Sequence, residues 1–246
     1  MIDLNGKRAL VTGGSRGIGA AIALALAENG ADVALTFQHS IERAQSVVTS
    51  IERLGRRAVA LQADSADPAA IKRSVDGAVK ALGGLDILVN NAAIALYSTI
   101  ADFKVEDIDA LLAVNVRGPV LATQAALPHL GAGGRVVTIG SAGADRIVGA
   151  TGTLYYMTKA ALQAFTRGLA HELGPRDITA NLVQPGSTDT DMNPANGEFS
   201  DFQRGLIPLG RFGAPADVAA AVTFLASPAA RQITGAVVNV DGGLLA

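Results

Sequence analysis

The chain has no cysteine and no tryptophan, only three histidines and 4% aromatic residues, and it carries 20 basic against 22 acidic side chains. Each shortage excludes something. Without cysteine there is neither a disulfide framework nor a thiol nucleophile, a composition compatible with a reducing cytosol. His39, His129 and His171 stand too far apart for metal-ligand spacing, so no metal site is expected. A formal charge of −2, without a basic block or interleaved aromatics, argues against a nucleic-acid partner. No secretory apolar run precedes the first strand-like segment, and a soluble cytoplasmic protein with no membrane partner is expected.

Hydrophobic residues make up 49% of the 246 positions, and there are 28 glycines. That composition suits a tightly turned α/β domain with a substantial core, expected to span 1–246 as one unit. Short β-branched segments alternate with longer amphipathic ones, the pattern of βα units around a parallel sheet. Strands are expected near 8–12, 32–37, 58–63, 85–89, 134–139, 178–183 and 236–240. Helices are expected near 17–29, 41–55, 67–82, 104–130, 153–173 and 214–226, with Pro119 and Pro128 bending or ending parts of the fourth. Two stretches resist the pattern: 141–152 reads as a loop, and 186–212 is long enough for a substrate lid containing short helices.

The first βα turn reads Thr12-Gly13-Gly14-Ser15-Arg16-Gly17-Ile18-Gly19 before an alanine-rich helix. Glycines there let backbone donors approach a pyrophosphate, and a helix start favours negative charge. The spacing is Gly-x-x-x-Gly-x-Gly instead of the commoner dinucleotide Gly-x-Gly-x-x-Gly. After the second strand comes Thr36-Phe37-Gln38-His39-Ser40, lacking the acid that reads an unphosphorylated ribose. Arg16 with the polar groups around His39 and Ser40 could accommodate a 2′-phosphate, which favours NADP(H) over NAD(H). Asp64, after the third strand, could accept from an adenine amine. Asn90 and Asn91 follow the fourth strand at the same sheet edge, where they could arrange backbone and cofactor or simply stabilise a turn.

Tyr155 and Lys159 lie four residues apart, which places phenol and ammonium on one helix face a turn apart. A nearby cation favours the phenolate, so the lysine could tune the tyrosine for acid-base work. Ser141, after the fifth strand, could oppose the same substrate oxygen and stabilise developing negative charge. A bound nicotinamide would then supply or accept a hydride.

Taken together these residues resemble the classical branch of the short-chain dehydrogenase/reductase family. The likeness runs over nearly the whole chain, through 12–19, Asn90-Asn91-Ala92-Ala93, Asn115, Ser141, Tyr155-x-x-x-Lys159 and Pro185-Gly186. It implies a doubly wound Rossmann-type domain with a seven-stranded parallel sheet and helices on both faces. It implies Tyr155 as the catalytic acid in carbonyl reduction, Lys159 lowering its pKa and binding the nicotinamide ribose, Ser141 polarising the carbonyl, and Asn115 holding a relay water. Asn115 could also serve only to stabilise a helix distortion. Cofactor contacts implied are Gly13, Ser15, Arg16, Ile18, Gly19, His39, Ser40, Asp64, Ser65, Asn91, Ala92, Pro185, Gly186, Thr188 and Thr190, besides Tyr155 and Lys159.

Ala93 departs from the family's usual glycine, and the fourteen-residue interval from Ser141 to Tyr155 is one longer than in many fatty-acid reductases. The broad likeness is to NADP-dependent 3-oxoacyl-carrier-protein reductases and related ketone reductases. It implies a homotetramer using the terminal segment 235–243. Ile94, Leu96, Ile147, Val148, Tyr156, Met192 and Phe199 are candidate walls for an apolar carbonyl or alcohol substrate. Arg204 and Arg211 could meet an acidic carrier protein bearing an acyl thioester. An NAD-dependent alcohol dehydrogenase for cyclic, steroid or aliphatic alcohols and a noncatalytic nucleotide-binding regulator remain as alternatives.

Overall fold

Residues alternate between two cores along each strand, because successive side chains point to opposite faces of a sheet. In Arg8–Val11 (β1), Ala9 and Val11 join one apolar cluster and Leu10 the other. In Asp32–Phe37 (β2), Val33, Leu35 and Phe37 face the first cluster and Ala34 the second. Ile87–Asn90 (β4) and Arg135–Ile139 (β5) repeat the division, and every residue of both is buried. A strand covered on both faces is mostly apolar, as expected of parallel sheets, with Asn90, Arg135 and Thr138 the buried polar exceptions here.

The computed structural model describes residues 2–246. With Ala58–Gln62 (β3), Thr179–Pro185 (β6) and Val237–Val240 (β7), the strands form one seven-stranded parallel sheet in the order β3-β2-β1-β4-β5-β6-β7. Gly17–Glu28 (α1), Ile41–Arg53 (α2) and Pro215–Ala226 (α8) bury their apolar stripes in the first cluster; Pro68–Leu82 (α3) and Thr153–Leu173 (α6) contribute to the second. This is the expected doubly wound Rossmann-type domain. Its strand order reverses between β1 and β4, and such a reversal opens a crevice at the carboxyl ends of the strands.

The expected fourth helix is three pieces: Val105–Leu112 (α4), a π-helical turn over Ala113–Arg117, and Gly118–Ala126 (α5). Pro119 has no N–H to close an α-turn on the Asn115 carbonyl, so the ladder changes register there. Within 186–212 lies one short helix, Ser200–Leu206 (α7), and the two ends of the segment are joined by bridge pairing of Thr188 with Gly213. Among the described residues no helix is long and apolar enough to cross a membrane.

Candidate active site

The β1–α1 turn is built by hydroxyls that periodicity alone does not mark. Thr36 Oγ1 accepts from Gly13 N at 2.9 Å, while Thr12 Oγ1 accepts from Asn91 N at 2.9 Å and Ala92 N at 3.0 Å. Asn91 Nδ2 donates to the Thr12 and Gly13 carbonyls at 2.9 and 3.0 Å, locking the β4 edge to the turn. Gly13 adopts φ +65°, and a Cβ at Gly19 would overlap the Gly13 carbonyl oxygen. These glycines keep the turn low over the start of α1, whose first turn holds no acidic side chain and whose preceding Arg16 makes no side-chain cap. Free N–H groups and the positive end of the helix dipole are thereby left for an anion. This cradle fits a dinucleotide pyrophosphate.

A cavity of about 1430 Å³ runs from this turn across the strand termini. Every residue expected to touch the cofactor lines it: Gly13, Ser15, Arg16, Ile18 and Gly19 from the turn; His39, Ser40, Asp64 and Ser65 beyond β2 and β3; Asn91 and Ala92 beyond β4; Pro185, Gly186, Thr188 and Thr190 at and after β6; and Tyr155 with Lys159 from α6. Asp64 also has a local task, its Oδ1 accepting from Ala66 N at 2.8 Å. Asn90 closes β4 instead of following it. Its Nδ2 donates to Thr123 Oγ1 at 3.0 Å behind the cavity wall. Arg43, on α2, lines the cavity beside Ser40 and was not anticipated. It sits in an amphipathic helix whose charges read as a solvated face, and only the packing of α2 beside the turn brings it there.

Ser141 caps a 3-10 turn over Ala142–Ala144, its Oγ accepting from Gly143 N at 3.1 Å. This cap anchors the loop that faces the start of α6, and Ser141 and Tyr155 line the same cavity. Lys159 is 3% exposed, and its Nζ donates to the Ile139 carbonyl at 3.0 Å while lying 5.9 Å from the centre of the Tyr155 ring. Burial pulls Lys159 down from 10.5 to about 8. The expected depression of the Tyr155 phenol is not found. Burial, with smaller contributions from Tyr97 and Tyr156, raises it above the ordinary value, and only the neighbouring Ser141 hydroxyl pulls it the other way. A group withdrawn from water resists charging whatever its sign, so the phenol stays protonated and the ammonium becomes easier to discharge.

Tyr155 stands between two other rings, Tyr97 at 5.7 Å and Tyr156 at 5.4 Å between centroids. Tyr97 gives no periodic signal in the sequence, and burial pushes its phenol up to about 12. The Tyr156 ring packs against Gly143 and Gly152, where any Cβ would overlap it, and its hydroxyl donates to the Val148 carbonyl at 3.3 Å. Tyr156 is therefore a wall, and Tyr155, whose ring lies under Lys159 Nζ, is the tyrosine that shares the cavity lining with Ser141 and Lys159.

Asn115 lies behind the cavity and does not line it. Its Oδ1 accepts from Ile94 N at 2.9 Å, and its Nδ2 donates to the Ile94 carbonyl at 2.9 Å and to Thr158 Oγ1 at 3.1 Å. Both side-chain donors are committed to joining the π-turn, the loop after β4 and α6. Of the expected substrate walls, Ile94, Val148, Tyr156, Met192 and Phe199 line the cavity, whereas Leu96 and Ile147 do not. Ile147 is 57% exposed instead, since the 141–152 loop turns its side chain outward. Arg204 folds back within its own segment, onto Asp201, the Ala195 carbonyl and the Phe212 ring.

A family model described as Enoyl-(Acyl carrier protein) reductase matches residues 13–245. The chain is 57% identical to a short chain dehydrogenase from Burkholderia cenocepacia J2315 solved in complex with NADP, with a TM-score of 0.98 and 99% of each chain covered. It is 48% identical to a blue fluorescent protein from a metagenomic library solved with NADPH, with a TM-score of 0.97, covering 99% of this chain and 100% of that one. Among curated relatives, versicolorin reductase of Emericella nidulans is 41% identical over 253 residues, covering 98% of this chain and 96% of the relative. By the extent of these matches, the chain belongs to the NAD(P)-dependent short-chain dehydrogenase/reductase family of enzymes.

Proposed function

We propose that this enzyme reduces a ketone to the secondary alcohol with NADPH, Tyr155 delivering the proton. The observation that carries this reading is that Ser141, Tyr155 and Lys159 line one cavity, Lys159 Nζ lying 5.9 Å from the Tyr155 ring centre, together with Arg16 and Arg43. Arg16 and Arg43 fit a 2′-phosphate, and the two solved relatives with bound NADP and NADPH support that preference. NADPH supplies the hydride when bound. The protein's own part is to hold the carbonyl oxygen between the Ser141 hydroxyl and the Tyr155 phenol and to move the proton. Burial keeps the phenol protonated, so it holds the proton that reduction consumes, and the nearby Lys159 cation favours its release. Lys159, held at the Ile139 carbonyl, then faces the phenolate that proton loss leaves behind.

The Asn115 side chain positions α6 and the Ile94 loop, so any relay water is held by its main-chain carbonyl, for which Pro119 offers no N–H. The 186–212 segment is proposed as the substrate lid, supported by Met192 and Phe199 on the cavity wall. Tyr97, Tyr156, Ile94 and Val148 complete an apolar surface with one polar corner, which favours a free apolar ketone. A carrier-bound 3-oxoacyl thioester is less supported, because Arg204 is occupied within its own segment. The test is NADPH oxidation against a panel of ketones, diketones, quinones and 3-oxoacyl thioesters, repeated with Tyr155→Phe. Turnover is expected to fall about a hundredfold or more, the scale of general acid catalysis, with NADPH affinity nearly intact. Full turnover by the variant rejects Tyr155 as the acid.

A further inference from the structure

Arg16 and Arg43 come from different elements, yet both guanidiniums reach one oxygen of a third residue. Asp191 Oδ2 lies 2.5 Å from Arg43 Nη1 and 3.5 Å from Arg16 Nη1. Asp191 belongs to the 186–212 segment, 148 residues from Arg43 and 175 from Arg16. All three side chains are more than half exposed and line the cavity on the side of His39 and Ser40. The two cations hold the Asp191 carboxyl below the ordinary carboxylate range, the Arg43 hydrogen bond being the larger cause. Two forked donors aimed at one carboxylate oxygen leave most of their N–H groups unused. That set suits an anion with more charge and more acceptors.

We propose that Asp191 is an internal stand-in for the 2′-phosphate of NADP(H), bridging Arg16 and Arg43 until the phosphate displaces it and unties the start of the lid. This inference rests on the reading that the two arginines meet the 2′-phosphate. The exchange runs in that direction because a phosphate monoester carries about −1.5 to −2 at neutral pH and three strong acceptors, against one charge on a carboxylate. NAD(H) presents a neutral hydroxyl there and leaves the tether in place. Asp191 adjoins Met192, which lines the same cavity. Release of the tether therefore changes the wall a substrate meets, and the lid responds to which nicotinamide cofactor is bound.

The competitor is an exposed carboxylate, so its effect is modest. Asp191→Asn, which keeps the shape and removes the charge, is expected to tighten NADP⁺ binding about fivefold, the scale of exposed ion pairs, with NAD⁺ affinity moving less than twofold. Titration calorimetry reads both. Unchanged or weaker NADP⁺ binding, or equal tightening of NAD⁺, overturns the proposal. Hydrogen exchange in the wild-type protein gives a second readout. Exchange over 189–194 is expected to quicken with 2′,5′-ADP and to stay unchanged with 5′-AMP. Slowing by 2′,5′-ADP would mean that Asp191 closes over the phosphate instead of yielding to it, and would also overturn the proposal. Arg16→Ala and Arg43→Ala separate the two readings. If neither lowers the preference for NADP⁺ over NAD⁺, the phosphate assignment fails and takes the stand-in with it. If they lower it while Asp191→Asn changes nothing, only the stand-in fails.

Discussion

Replacing Lys159 by methionine is expected to make the cofactor-free protein more stable at neutral pH while abolishing its chemistry. The lysine is 3% exposed and its pKa falls from 10.5 to about 8 on burial. A folded-state pKa below the unfolded value means that the unfolded chain binds more protons between those two limits. Stability therefore rises with pH across that window, and the full cost of burying the charge is present below pH 8. The shift corresponds to about 3 kcal/mol at pH 7, shrinking by about 2 kcal/mol on going to pH 9.5. Methionine fills a similar volume without the charge, though it strands the Ile139 carbonyl that Lys159 Nζ meets at 3.0 Å, which returns roughly 1 kcal/mol or more of the gain. Urea unfolding of both proteins at pH 7, 8, 9 and 9.5 isolates this residue, because every other titrating group cancels in the difference. The stability gap between variant and wild type is expected to narrow by about 2 kcal/mol over that range. A gap that stays flat would show that the fold does not penalise the Lys159 charge, and the argument from burial would fall with it.

Asn115→Ala should cost about 3 kcal/mol in urea unfolding, since it leaves the half-buried Ile94 main chain and the buried Thr158 hydroxyl without their partner; a loss under 1 kcal/mol would rule out the clasp described above. A homotetramer is the proposed assembly, supported by β7 at an open sheet edge and by exposed Val105, Leu112 and Val120 on α4 and α5. Light scattering is expected to give four times the 24.9 kDa chain mass, and a monomeric mass would refute it.

The sheet was legible because it rests on short-range pattern. The alternation of Ala9, Leu10 and Val11 and the helical stripe of α2 each place a residue within a few positions of its neighbours, and seven strands emerged within a few residues of their expected ends. The fourth helix was legible only in part. Pro119 signals a break, but the π-turn depends on where the Asn115 amide finds Ile94 and Thr158, 21 and 43 residues away. Tyr97 and Arg43 escaped for a related reason: each sits in a segment with no local signature of its role, and both reach the cavity through the packing of other elements. The tyrosine-lysine spacing pointed to one face of a helix, yet the direction of the phenol's shift followed from burial, which spacing does not encode.

By itself the sequence determined the βα order, the glycine turn that cradles a pyrophosphate and the Ser141, Tyr155 and Lys159 set, all of them matters of local conformation and residue type. Only the tertiary structure decided which groups lose water and which distant charges meet. That is why Lys159 is discharged more easily, Tyr155 keeps its proton, and Asp191 comes to rest between Arg16 and Arg43: solvation and Coulomb interaction depend on separation in space, and separation along the chain does not report it.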